Sequence, residues 1–187
     1  QMPLIVPTVT DHRITAKGYR TVFRLPTKDS DEGALLAAYA LGSGAKAPVV
    51  VSQDGDYGPS VAAGFVRRAG ALHVNAPSTL FSRVAPDFGK VADEIIAHAP
   101  DCITFAGNVA DMGPLLGVLR TKGYTGRFLA SQGFFDPLTT TSFAKDAEGM
   151  FISTSVPYFP LAPNAMRDVQ NFQQRYGPKV YDPCLLY

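Results

Sequence analysis

Residues 49–58 read VVVSQDGDYG, an apolar run that follows Pro48 and empties into a polar, glycine-containing loop ending on Tyr57 and Gly58. An apolar-periodic segment comes next, so the order is strand, loop, helix. In open α/β sheets ligands bind where loops leave the carboxyl ends of strands, and this loop carries an aromatic side chain, two acids and an amide.

The same alternation continues on both sides. Strand-like runs rich in branched or aromatic residues occupy 4–6, 21–24, 71–74, 102–106, 128–130 and 150–154, each bounded by Gly, Pro or Asp. Helical patterns separate them. Residues 30–41 open with a serine and acids and run into ALLAAYAL; 59–68 set Val61, Phe65 and Val66 on one face; 87–97 do so with Phe88, Val91 and Ile95. Residues 111–122 carry Leu115, Leu116 and Leu119 and stop at Gly123, and 164–176 stop at Gly177, both natural residues to follow a helix. Strand and helix in strict alternation predict an α/β fold, a doubly wound, mostly parallel sheet with right-handed crossovers and helices on both faces. The stretch 49–177 supplies a complete unit of that kind. Residues 1–28 do not fit it: two strand-like pieces joined by a polar segment precede the first clean unit, and Pro26-Thr27-Lys28-Asp29 reads as a turn or hinge.

Composition narrows the function classes. The 187 residues are 46% hydrophobic and 18% charged with a net charge of +1, which suits one globular body and gives no long-range field for nucleic acid. Apolar runs stay well short of the roughly 18 residues of a spanning helix. Cys102 and Cys184 stand far apart with no CxxC or Cys/His spacing, so no metal site is expected, and Cys102 reads as a small buried hydrophobe. His12, His73 and His98 fall singly in unrelated segments and carry no catalytic or ligating pattern. The opening QMPLIVPTVT has neither a basic n-region nor a small-residue cleavage site and reads as a mature or cut segment. The closing YDPCLLY reads as a helix begun at Asp182 and Pro183 and cut short. No GxSxG elbow, Walker sequence, strand-linked GxGxxG or HExxH is present. Asp54-Gly55-Asp56 has the form of the acid pair of haloacid-dehalogenase-like phosphatases, but Ser52 and Gln53 intervene after the strand and no later strand end bears paired acids.

In order and approximate spacing, MPLIVPTVT, ITAKGYRTVFRLPTKDSDEG, VSQDGDYG, PDFGKVADEI, FAGNVADMGPLL, ASQG and DAEGM resemble the second lobe of the branched-chain amino-acid type of periplasmic solute-binding protein. The stretch from Gly18 to Gly33, of the form GYxxVFRxxxxDSxxG, is the most telling. The resemblance implies one lobe of a two-lobed type I periplasmic binding fold: residues 1–28 a remnant of the first lobe and a hinge crossing, residues 29–187 the second α/β lobe truncated at its C-terminal end. It implies a periplasmic protein, or an extracellular and membrane-anchored one in a Gram-positive host. Such a protein closes on a small solute in an interlobe cleft and hands it to the membrane permease of an ABC importer, with no cofactor and no chemical turnover. The same fold also serves as the sensing part of regulators and receptors. A lone second lobe should bind amino acids weakly, because half of the contacts and the exclusion of water are lost. A strand at 4–6 whose sheet lies mostly elsewhere would seek a partner, so a homodimer through the first-lobe remnant is expected.

The resemblance also assigns site residues. Thr8 and Thr10 match the threonine-bearing loop that holds the carboxylate and ammonium of an amino acid; PTVT also reads as an ordinary turn. Tyr57 matches the aromatic that closes over the ligand, offering a flat apolar face and a hydroxyl. Asn108 stands where amino-acid binders often carry a tyrosine, and Gln132 where they carry a glutamate that pairs with the ammonium; both could equally bond neighbouring backbone. A charge-assisted bond is about twice as strong as a neutral one, so Gln132 favours a neutral or anionic solute such as an amide or an aromatic carboxylate. Asp54 and Asp56 could restore the charge, or serve the turn and the next helix.

Overall fold

A computed structural model describes residues 2–154 and 163–177. In chain order the elements are β1 (Leu4–Val6), α1 (Arg13–Ala16), β2 (Val22–Arg24), α2 (Asp29–Gly42), β3 (Pro48–Gln53), α3 (Tyr57–Ala71), β4 (Ser78–Phe81) and α4 (Phe88–Ile96). They continue with β5 (Cys102–Ala106), α5 (Val109–Thr121), β6 (Arg127–Ala130), α6 (Pro137–Thr140), β7 (Phe151–Ile152) and α7 (Pro163–Tyr176). Contacts divide the described residues into two compact units, 28–153 and 2–27 with those beyond 153. The grouping differs from the expected division at its far end, where the described residues after 153 cluster with 2–27 instead of with the sheet.

In the larger unit five parallel strands run in the order β4-β3-β5-β6-β7. The first strand of this sheet, β3, is covered on both sides, and all six of its residues are buried. A strand buried on both faces needs an unbroken apolar run, and PVVV supplies it. Alternation then sorts the core. Val49, Val51, Ile103, Phe105, Phe128 and Ala130 join Val91, Ile95, Leu115, Leu116 and Leu119 of α4 and α5 in one cluster. Val50, Cys102, Ala106 and Leu129 join Leu36, Ala40, Val61, Phe65 and Ala69 of α2 and α3 in the other. Helices on both faces of a parallel sheet are the expected doubly wound architecture, and Cys102, 1% exposed, is the expected small core residue. Phe134 is also core: it is fully buried with its ring 5.5 Å from Phe105.

One expected strand is not there. Residues 71–74 end and leave α3: His73 takes a left-handed φ of 61° and the Val74 N–H closes onto the Ala69 carbonyl at 3.0 Å. The strand lies further on at Ser78–Phe81, where Thr79 and Phe81 face inward and Leu80 is 61% exposed, as an edge strand permits. In the smaller unit, β1 is not left without a partner. It pairs in parallel with β2, Leu4 opposite Val22 and Val6 opposite Arg24, which removes the unpaired strand from which dimerisation was expected. Asp11 starts the short α1 by accepting the Arg13 N–H at 2.8 Å and its Nε at 2.7 Å, and these bonds to Arg13 hold the Asp11 carboxyl down at about 2.

Helices α2 and α3 touch backbone to backbone. A Cβ on Gly33 would lie 1.9 Å from the Val61 carbonyl oxygen, and one on Gly64 would lie 2.1 Å from that of Ser30. Each glycine lies against the backbone of the other helix, Gly33 on Val61 and Phe65 and Gly64 on Ser30, an approach that a side chain at either position would block. Gly33→Ala is expected to cost about 1–3 kcal/mol in urea unfolding by overpacking, whereas Gly42→Ala, with open space around the added carbon, is neutral or slightly stabilising. Equal stability of the two variants would contradict this packing.

Candidate functional site

The chain steps outward from β3 to the edge strand β4 and then crosses back to β5, so the loops after β3 and β5 part in opposite directions. A reversal of this kind is where open α/β sheets form their ligand crevice, at the carboxyl ends of the two central strands. Gln53, the last residue of β3, is 3% exposed, and its Oε1 accepts the Asn108 N–H at 2.8 Å, tying the two loops together. The loops approach through glycines. A Cβ on Gly58 would meet the Gln53 and Ala106 carbonyl oxygens at 2.5 and 2.8 Å, and one on Gly133 would meet the Gly107 oxygen at 2.3 Å and Asn108 Oδ1 at 2.7 Å. Ser131 completes the seam: its Oγ accepts the Gly107 N–H at 3.1 Å and lies 3.2 Å from the Gly107 carbonyl, to which it donates.

Beside this crevice lies a buried carboxylate. Glu32, in the first turn of α2 and 8% exposed, accepts the Tyr57 hydroxyl on Oε2 at 2.9 Å. Its Oε1 accepts the Gln132 N–H and the Ser153 hydroxyl, each at 2.6 Å. Burial pushes the Glu32 carboxyl above its usual range, while the three donors pull it back and the nearby Asp29 charge adds to the rise. Tyr57 is pushed above its usual range too, by burial first and by the Glu32 charge second.

Of the residues expected at a site, Tyr57, Asn108 and Gln132 are gathered on this one edge. Tyr57 is half-buried with its hydroxyl committed to Glu32, so the ring is what it has left to present. Asn108 is exposed at the start of α5 and its side chain makes no capping bond there. Gln132 is half-buried and opens a short 3-10 turn, Gln132–Phe134. Thr8 and Thr10 belong to the smaller unit, Thr8 exposed and Thr10 half-buried, with the Thr10 carbonyl accepting from Arg24 Nη1 at 3.3 Å. Asp54 serves the loop rather than supplying a free charge: it pairs with Arg83 Nε at 2.7 Å, accepts from Ser82 at 3.1 Å, and is held below the usual carboxylate range by Arg83. Cys184 lies outside the described residues.

Glu32, Gln53 and Ser153 were not singled out from sequence. A signal for Glu32 existed. Residues 32, 36 and 40 share one helical stripe, and an acid heading a stripe continued by Leu36 and Ala40, 4% and 0% exposed, is an acid pointed inward.

A doubly wound parallel lobe that collects an aromatic, an amide pair and a buried acid at its switch-point edge has the form of a ligand-holding domain. The sequence profile of the periplasmic binding protein family matches residues 1–184, and the chain belongs to that family. An amino acid binding protein of Pseudomonas aeruginosa is 28% identical over 143 residues, covering 74% of this chain and 38% of the relative. The Leu/Ile/Val-binding protein of Escherichia coli is 24% identical over 159 residues, 83% of this chain and 43% of that protein. The crystal structure of a leucine binding protein from Thermotoga maritima superposes with a TM-score of 0.85 at 24% identity, covering 98% of this chain and 52% of the other. The chain thus spans less than half the length of these two sequence relatives.

Because the Glu32 carboxyl lies above its ordinary 4.5, the stability it lends relative to a neutral side chain is full below pH 4.5 and is lost as pH rises through the raised value. The stability of Glu32→Gln minus that of the unchanged protein should therefore climb from pH 4.5 upward and level off above the raised value, as read by urea unfolding in pH steps. Parallel curves, or a difference that falls with pH, would contradict the raised value.

Proposed function

We propose that this chain is part of the substrate-binding component of an ABC importer, holding a small polar solute, an amino acid or a related amide or carboxylate, without chemical turnover. The observation that carries the reading is the convergence of Tyr57, Asn108 and Gln132 on one strand-end edge, joined through Gln53 and Glu32. Those positions offer a ring face, a side-chain amide at a helix start and a loop amide, which together suit an apolar group next to a polar one. Family membership and the relatives' printed functions as amino-acid and Leu/Ile/Val binders support the solute class. Thr8 and Thr10 keep the role that the resemblance gives them, contacts to the solute's carboxylate and ammonium.

A periplasmic location, a membrane permease as partner, and a homodimer through residues 1–28 belong to the same proposal. Exposed Leu4, Ile5 and Phe23, at 56%, 60% and 53%, are the observation that favours self-association. A sensing role would use the same edge in the same way, with a different receiver for the closed form.

A thermal-shift panel of amino acids, their amides and aromatic carboxylates tests the solute class. A solute at ten times its Kd stabilises the native state by about 1.4 kcal/mol. The expected result is a rise in Tm with at least one member at millimolar concentration, reduced by Tyr57→Ala and by Gln132→Ala. A rise indifferent to both substitutions, or no rise with any member of the panel even in a chain that carries both lobes, would overturn the assignment.

A further inference from the structure

We infer that Glu32 is the positioning residue of the solute-facing edge: its carboxylate anchors the Tyr57 ring and the loop that begins at Gln132, and so sets the geometry that the solute meets. The inference deepens the proposed solute-binding role and rests on it only for the word solute.

The geometry calls for a side chain of glutamate length that ends in two polar atoms, one of them accepting two bonds. Tyr57 comes from the start of α3, Gln132 from the loop after β6 and Ser153 from the residue after β7, and all three aim a donor at one carboxylate. All three donors are neutral, so Glu32 buries a charge without gaining an ion pair from them. A buried charge held by neutral donors is costly, and an apolar residue on the same stripe would extend the Leu36 and Ala40 surface at lower cost. What the carboxylate supplies is connection between segments distant in sequence, since 25, 100 and 121 positions separate Glu32 from its three partners. Its reach depends on the close approach of α2 to α3, where Gly33 lies on the Val61 backbone and Gly64 on the Ser30 backbone. With its hydroxyl held, Tyr57 loses rotational freedom before any solute arrives, and pre-ordered contacts bind more tightly than ones that must be ordered on binding.

Two substitutions separate position from charge. Glu32→Gln keeps the length and one carbonyl able to take the Gln132 N–H and the Ser153 hydroxyl, and its amide can donate to the Tyr57 oxygen, reversing that bond. Glu32→Asp keeps the charge but is one methylene too short. In ligand-free protein the Gln132 amide exchange rate and the Tyr57 ring resonances are followed by NMR. For Glu32→Ala and Glu32→Asp, Gln132 exchange is expected to accelerate about tenfold or more, with the Tyr57 resonances moving toward those of free tyrosine. Glu32→Gln should stay within about threefold of the unchanged protein. L-leucine then serves as the probe: its half-saturation concentration should rise about tenfold in Glu32→Asp and little in Glu32→Gln. Unaltered Gln132 exchange and Tyr57 resonances in Glu32→Asp, or equal damage in Glu32→Gln and Glu32→Asp, would overturn the inference; this pair decides it even if Glu32→Ala does not fold. If L-leucine perturbs none of the proteins, the ligand-free spectra still decide whether Glu32 holds the edge.

Discussion

The larger unit turns on how closely α2 can approach α3. Gly33 and Gly64 leave no side chain between the two backbones, so the helices meet at a separation that a single methyl group would prevent. Everything at the candidate site follows from that depth. The first turn of α2 is carried to the carboxyl ends of the strands, Glu32 is delivered under the start of α3, and the loops after β3, β6 and β7 acquire a shared acceptor. Packing, polar satisfaction and the placement of the ring are thus one constraint expressed at three levels.

On the other side of the crevice a second device does similar work with no charge. The Gln53 side chain sits inside the reversal of strand order and receives the Asn108 N–H, while Gly107 leaves the space that its amide fills. A buried primary amide accepts and donates without the desolvation cost of an ion, which suits a position 3% exposed at the end of a fully buried strand. The two devices differ in exposure of what they support. Asn108 is left exposed and Tyr57 half-covered, so the edge offers the solvent an amide and part of a ring above a rigid floor.

Much of the fold was legible in the chain. The apolar run at 49–51, the amphipathic stripes of α4 and α5 and the glycine after α5 each declare their element by local periodicity or backbone chemistry. The edge strand Ser78–Phe81 was missed because only Thr79 and Phe81 face the core, so its apolar signal is half that of a central strand. The apolar AL of 71–72, read as strand, is the end of a helix whose stripe had already been counted. For the site, the loops that follow strands could be located and Tyr57, Asn108 and Gln132 named from family likeness. Glu32 could not be placed, because its role depends on partners up to 121 positions away and on a helix contact that no local pattern records. The smaller unit was least legible: the pairing of Leu4–Val6 with Val22–Arg24 is a crossover between short runs with little periodicity of their own.

The proposed solute-binding role commits the solute to the carboxyl-end edge of the sheet. A residue-resolved NMR titration of this chain with whichever member of the amino-acid and amide panel raises Tm most tests that directly. Shifts are expected to concentrate at Tyr57, Asn108 and Gln132, with Gln53 and Glu32 following. The opposite edge holds a groove of about 420 Å³ lined by Asp101, Lys122 and Tyr124, and shifts concentrated there with the strand-end loops silent would contradict that role.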